Sequence, residues 1–384
     1  MSSQPIRDTF LPYGRQKIDD KDIQAVIDVL TSDYVTTGPE VVHFEQAVAD
    51  YVGAKYAVAF SNGTAALHGA CFAAGIGKGD EVITSPLTFV ASANCVLYQQ
   101  GVPIFADIDP QTYNIDPVQI EKHITKRTTA IIPVDFTGQP AELEQICEIA
   151  RRHNLVVIED AAHALGAVYR GERVGSISDM TMFSFHPVKH ITSGEGGIIT
   201  TNSEDYYQKL IQFRSHGITR SREQLENDHG PWYYEMQFLG FNYRMSDIQA
   251  ALGRSQLNKL DEFISKRKQI IELYNQSFRD ITGVQIPVQS SNTVSSWHLY
   301  ILRIDSTKFD RREIFNAFLD NNIGVNVHYI PVYFQPYYQQ LGYEKGLCPV
   351  AEEVYQTIIT LPLFPSMAEK DVQDVITAVH HILN

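Results

Sequence analysis

The sequence predicts an α/β fold in which a large, doubly wound and mostly parallel sheet is followed by a smaller α+β domain. Two patterns predict it. Between Tyr56 and about Asn202, short apolar runs alternate with helical patterns, which is the rhythm of βαβ units. From Ser246 to about residue 280, apolar positions recur at three- and four-residue spacing, as in one long helix. A chain of 384 residues has room for two large cores. The division expected is 1–250 for the sheet with its N-terminal segment, and 251–384 for the linking helix and the small domain.

Taken in order, the runs are YAVAF, EVITS, VPIFADI, AIIPVDF, LVVIED, MTMFSF and GGIITT. Each is short, bounded by turn residues and rich in β-branched or aromatic side chains, so each reads as a strand buried on both faces. Residues 65–74 are Ala-rich and residues 143–153 amphipathic, and both read as helices packed between strands. GIGKGD at 75–80 lacks the spacing of a dinucleotide-binding loop and precedes a strand, so it reads as a turn. Residues 217–240 are polar, then aromatic, without a clean period; excursions of that length are either functional or mobile. Ser246 or Asp247 is placed to cap the linking helix. Beyond it, WHLYILRI, RREIFNAFLDN and GVNVHYIPVY read as strand, helix and strand, and a last helix spans about 369–383.

Composition narrows the functional classes. A hydrophobic share of 44% and a charged share of 20% are those of an ordinary globular protein. The net charge of −14 argues against nucleic-acid or anionic-membrane partners, which require a basic face. No apolar run has the length of a membrane helix, and the N-terminus has no secretory h-region. Cys71, Cys95, Cys147 and Cys348 show neither CxxC nor metal-ligand spacing. They read as reduced, mostly buried thiols of a cytoplasmic protein.

Chemistry concentrates between Leu155 and Gly197. The run LVVIED delivers Glu159 and Asp160 at its C-terminal end, and MTMFSF leads into a loop carrying Lys189. Open α/β sheets hold ligands at that edge, so the acid and the amine are expected together. Pyridoxal phosphate (PLP) uses such a pair: a Schiff base to the lysine, and an acid that keeps the pyridine nitrogen protonated so that the ring can draw electrons from the substrate's α-carbon. Either residue alone is an ordinary surface charge; the neighbours decide. Ser61-Asn62-Gly63-Thr64 lies at a strand-to-helix turn, where free amides and the helix dipole suit a phosphate. Ser184, just before Lys189, can add a hydroxyl there. Phe89 can lay a ring on the pyridine face, and His163 and His186 can reach the cofactor or substrate.

These residues resemble the DegT/DnrJ/EryC1/StrS family of PLP-dependent sugar aminotransferases. The matching segments are TTGPEVVHFEQAVADYVGAKYAV, SNGTAAL, DEVITSPLTFVASAN, FADIDPQTYNID, VIEDAAHALGA, FSFHPVKHITSGEGG, FNYRMSDIQAALG and VHYIPVY, in order over nearly the whole chain. The resemblance implies a fold type I aminotransferase, usually a homodimer with shared active sites. It makes Lys189 the Schiff-base lysine and proton shuttle and Asp160 the pyridinium partner. Gly63, Thr64 and Ser184 become phosphate ligands, Phe89 the stacking ring, and His163 a group on the ring's hydroxyl side. Asn242 would reach the phosphate of the neighbouring subunit, Arg244 would meet the sugar nucleotide, and His328 and Tyr329 would line the substrate cleft. SNGT departs from the SAT or NSAT of close relatives, a change that backbone amides tolerate.

FSFHPVKHIT, with His186, is more similar to members that aminate C4 of the sugar than to those acting at C3. LPYGRQKIDD and WYYEMQFLGFNYRM resemble the pseudaminic acid branch, which implies L-glutamate as donor and UDP-2-acetamido-2,6-dideoxy-β-L-arabino-hexos-4-ulose as acceptor. Alternatives are amination of another carbon or another nucleotide-linked keto sugar, a non-catalytic PLP-holding sensor, and an NAD-linked sugar dehydrogenase. Family relatives that act as dehydratases carry histidine in place of the lysine, which Lys189 disfavours here.

Overall fold

The computed structural model describes residues 4–227 and 229–383. All seven anticipated runs form one sheet: β1 (Tyr56–Phe60), β2 (Glu81–Thr84), β3 (Val102–Phe105), β4 (Thr128–Ile132), β5 (Val156–Asp160), β6 (Met180–Ser184) and β7 (Gly197–Thr201). Their order is β1-β7-β6-β5-β4-β2-β3. Neighbours from β3 through β6 are parallel, whereas β7 runs antiparallel to both β1 and β6. The reason is local: no helix separates β6 from β7, so the chain returns without the crossover that parallel pairing needs.

Strand alternation sorts side chains onto the two faces. Val157 and Ile158, adjacent in β5, enter different apolar clusters, the first with Ile131 and Ile146, the second with Val58 and Leu67. Helices Gly63–Ala73 and Leu143–His153 cover these faces as expected. Fully buried side chains such as Phe60 and Phe183 each stabilise the packing by about 1.5–3 kcal/mol.

The linking helix differs from the expectation. Ser246 does cap it, accepting the Gln249 amide, but the helix breaks into Asp247–Leu257 and Leu260–Phe278. At the break Lys259 turns inward to Asp22, whose side chain is inaccessible, at 2.5 Å. The second correction concerns GVNVHYIPVY, which is not a strand. Its backbone meets the small sheet at a bridge between Asn326 and Thr360, Pro331 offers no ladder donor, and the chain then turns into a short 3-10 helix at Val332–Phe334. The three-stranded antiparallel sheet instead joins Val284–Gln285, Tyr300–Ile304 and Ile358–Leu361. Helices Leu260–Phe278, Arg311–Asp320 and Glu369–Leu383 pack on it around Tyr274, Tyr300, Phe318 and Val379. Ile6 and Leu11 join that same core. Among the described residues, no helix is long and apolar enough to cross a membrane, and no group of side chains has the makings of a metal site.

Candidate active site

At the C-terminal edge of the central sheet lies a cavity of about 1090 Å³. Gly63, Thr64, Phe89, Asp160, His163, Ser184, His186, Lys189, His328 and Tyr329 all line it. Five pieces of chain bring them there: the turn after β1, the loop after β2 that carries Phe89, the end of β5, the end of β6 with the loop that follows it, and the segment following Ile323.

Asp160 is the last residue of β5 and is buried. Its Oδ2 accepts the Ser92 hydroxyl at 2.5 Å, and Ser92 contacts Thr88 at 2.8 Å. The Ala162 amide donates to Oδ1 at 3.2 Å. Burial pushes the Asp160 carboxyl above the usual carboxylate range, while Ser92, the Ala162 amide and the Lys189 charge pull it back. Lys189 is pushed down to about 8 by its own burial, against the opposing pull of Asp160. An acid and an amine thus face one cavity, coupled through their charges.

The turn after β1 forms a cradle. Asn62 caps helix Gly63–Ala73, taking the Ala65 amide on its side chain at 2.8 Å and the Ala66 amide on its carbonyl at 3.1 Å. The first-turn amides left over belong to Gly63 and Thr64, both of which line the cavity. β7 packs directly beneath, and a Cβ on Gly197 would lie 2.6 Å from the Asn62 carbonyl. A Cβ on Gly63 would meet the Ser184 Cβ at 3.4 Å. Ser184 Oγ accepts the His186 amide at 3.4 Å, which keeps its own proton for another acceptor. Two free amides, a hydroxyl and a helix N-terminus suit a phosphate.

The remaining predicted residues form the walls. Phe89 is 59% exposed, which rules out a core role, and its ring lies 6.3 Å from that of Tyr329. The Tyr329 hydroxyl contacts His163 Nε2 at 3.3 Å, leaving the buried His163 Nδ1 without a partner among the described residues. Burial holds His163 well below its ordinary range, so it is neutral at pH 7. His328 is pushed down to about 3 by burial and by the Lys189 charge, and its Nδ1 contacts Thr360 at 2.9 Å.

Asn242 and Arg244 are not among the residues lining this cavity. Between them, Tyr243 lines it, with its carbonyl accepting the Ser61 amide at 2.7 Å, while Asn242 is exposed. Sequence reasoning did not anticipate Ser92 and Thr88, which hold Asp160, or Tyr13 and Glu195, which also line the cavity. It also missed His298, whose ring sits 4.3 Å from that of His163. The signal for Ser92 was its place three residues after Phe89 on the same helix start; the others carry no local signature.

The arrangement suits a phosphorylated, cationic aromatic ring: a phosphate cradle, a buried carboxylate held by hydroxyl and amide donors, and a lysine amine. Comparison with known proteins points the same way. Residues 16–380 match the model of the DegT/DnrJ/EryC1/StrS aminotransferase family. The chain is 44% identical over 381 residues to the spore coat polysaccharide biosynthesis protein SpsC of Bacillus subtilis, covering 98% of each. Helicobacter pylori PseC, an aminotransferase involved in the biosynthesis of pseudoaminic acid, superposes with a TM-score of 0.90 at 33% identity, over 98% of this chain and 99% of that one. The PLP form of Spr1654 of Streptococcus pneumoniae gives a TM-score of 0.90 at 29% identity, over 98% and 100%.

Proposed function

The chain belongs to the DegT/DnrJ/EryC1/StrS aminotransferase family, and from that premise we propose that it moves the amino group of L-glutamate to C4 of UDP-2-acetamido-2,6-dideoxy-β-L-arabino-hexos-4-ulose. It is a PLP-dependent sugar aminotransferase, as its family and the PLP-form neighbour establish. The carrying observation is the single cavity lined by Lys189, Asp160 and the Gly63–Thr64 turn. PLP supplies an electron sink and an aldehyde for exchange of the amino group. Lys189 is assigned to hold the cofactor and, once free, to carry a proton between the substrate carbon and the cofactor. Its lowered proton affinity suits an amine that must be neutral to accept that proton. Asp160 keeps the ring nitrogen protonated, and Ser92 and Ala162 fix its orientation. Gly63, Thr64 and Ser184 hold the phosphate, Phe89 flanks the ring, and His163 meets its hydroxyl side. His186, His328 and Tyr329 contact the sugar.

The C4 assignment is supported by His186 in the loop before Lys189 and by the similarity to PseC. The second reading is a different nucleotide-linked keto sugar. It is favoured by the higher identity to a spore coat polysaccharide protein. A homodimer with Asn242 and Arg244 serving the neighbouring site accounts for their position outside this chain's own cavity and for the exposure of Asn242. We further assign residues 1–250 and 251–384 to the two domains, with the N-terminal segment around Ile6 and Leu11 packing into the core of the second.

The test is incubation of the purified protein with PLP, L-glutamate and a panel of UDP-, dTDP- and GDP-linked 4-keto and 3-keto sugars, with the product identified by NMR. The expected product carries the amine at C4 of the UDP-linked N-acetyl sugar. Amination of a different sugar only would replace the substrate assignment. Lys189→Ala is expected to lose both the absorbance of the lysine-bound cofactor and all turnover; retained turnover would refute its role.

A further inference from the structure

Two acids behind Asp160 do not line the cavity, and no step of the reaction uses them. Asp135 follows β4, and its amide donates to the Asp160 carbonyl at 3.0 Å. Glu159 precedes Asp160 in β5, so strand alternation turns it to the opposite face of the sheet. Both are fully inaccessible to solvent. One oxygen of each is satisfied: Asp135 Oδ1 accepts the Ala141 amide at 2.9 Å, and Glu159 Oε2 accepts the Thr181 hydroxyl at 2.9 Å. The other oxygens, Asp135 Oδ2 and Glu159 Oε1, are buried without a partner among the described residues. Because Val134 bridges Asp160, the two acids leave neighbouring strands on the same face of the sheet, where each raises or lowers the proton affinity of the other.

Two ionised carboxylates cannot share a dry site, and a buried acceptor left unpaired has lost its hydration without return. A single proton between the unpartnered oxygens removes both penalties at once, because a protonated carboxyl becomes a donor. The titratable and polar groups around the pair supply no positive charge. They are Asp160 on the same strand, Ser178 just before β6, Thr181 within β6, and Cys147 on the helix between β4 and β5. Lys189 lies beyond Asp160 and acts on it rather than on the pair.

We propose that Asp135 and Glu159 share one proton at neutral pH, so that the pair carries one negative charge, and that this charge backs Asp160 in keeping the cofactor's ring nitrogen protonated. The second clause rests on the function proposed above; the first does not. Asp135 and Glu159 are therefore positioning residues that act through Asp160.

Infrared spectroscopy of the full-length protein with PLP bound tests the proton directly. A carbonyl stretch of a protonated carboxylic acid is expected at pH 7 in the wild type. Carbon-13 labelling of aspartate or of glutamate carboxyls should move it, a measurement that needs no variant. Asp135→Asn and Glu159→Gln should each abolish the band, and Asp160→Asn should keep it. Absence of the band, or its loss only in Asp160→Asn, overturns the shared proton. For the second clause, PLP labelled with nitrogen-15 in the ring is followed by NMR. The single variants each retain one charge in the pair and should titrate as wild type. The double variant Asp135→Asn/Glu159→Gln should titrate roughly one unit or more lower, as expected for losing a nearby buried charge. Unchanged titration in the double variant overturns it. Cofactor absorbance recorded on the same samples tests the proposed function separately, since the carboxyl band is read without it.

Discussion

Burial takes Lys189 out of water, and Asp160 only partly offsets the loss of hydration, so the amine gives up its proton near pH 8 instead of the ordinary 10.5. Only the neutral amine can capture an aldehyde. Uptake of PLP by the cofactor-free protein is therefore expected to accelerate with pH and level off just above 8, with a rate at pH 7 about tenfold below the plateau, the consequence of one unit of protonation. The sign follows from the depressed affinity: the inhibitory proton is fully present below 8 and lost above it. Stopped-flow measurement of the lysine-bound absorbance from pH 6 to 10.5 checks this, and a rate still climbing tenfold per unit at pH 10 would contradict it. Lys189 and Asp160 were legible in the sequence because each follows an apolar run, and runs of that kind end at a ligand-bearing edge. The partner of Asp160 was not. Ser92 lies 68 residues away, and a serine in a helical first turn reads locally as a cap.

At the scale of elements, the phosphate cradle depends on strand β7 as much as on its own turn. Gly197 has an ordinary backbone, yet a Cβ there would sit 2.6 Å from the Asn62 carbonyl carbon and oxygen and 2.7 Å from the Gly63 Cα. These are backbone atoms, so no side chain can swing away and the turn itself must move. Gly197→Ala is expected to cost roughly 1–3 kcal/mol, the range for overpacking, and to weaken PLP binding by about tenfold or more as the Gly63 and Thr64 amides shift. Fluorescence titration with PLP, alongside circular dichroism to verify the fold, measures both. Wild-type affinity would mean that the turn is not held from below. The seven strands were legible because strands covered on both faces read as short, largely apolar runs, the antiparallel β1 and β7 included. The break at Asn258–Lys259 was not, because apolar spacing continues across it while the buried ion pair to Asp22 decides the geometry. Nor was the fate of residues 324–333, whose alternating pattern suits an extended segment whether or not it finds a ladder partner.

For the whole molecule, the excursion of residues 217–240 poses a packing question. Two short strands, Ile218–Thr219 and Glu235–Met236, pair within it, yet Trp232 is 72%, Met236 62% and Leu239 77% exposed. Tyr34, Val35 and Val42 are also exposed. Apolar side chains exposed together on one segment mark an association surface, and the excursion leads directly into Asn242, which is not among the residues lining the active-site cavity of its own chain. A homodimer that covers this segment accounts for both facts. Burying a Met or Leu side chain contributes about 1.5–3 kcal/mol, and every 1.4 kcal/mol is tenfold in affinity. Met236→Asp together with Leu239→Asp should therefore raise the dissociation constant about a hundredfold or more. Analytical ultracentrifugation should then show monomer at micromolar concentration, with folded circular dichroism and weakened PLP retention, the result expected if Asn242 serves the neighbouring chain's site as proposed above. Two outcomes would remove the excursion from the interface: a variant that stays dimeric, or a monomer that holds PLP as tightly as the wild type.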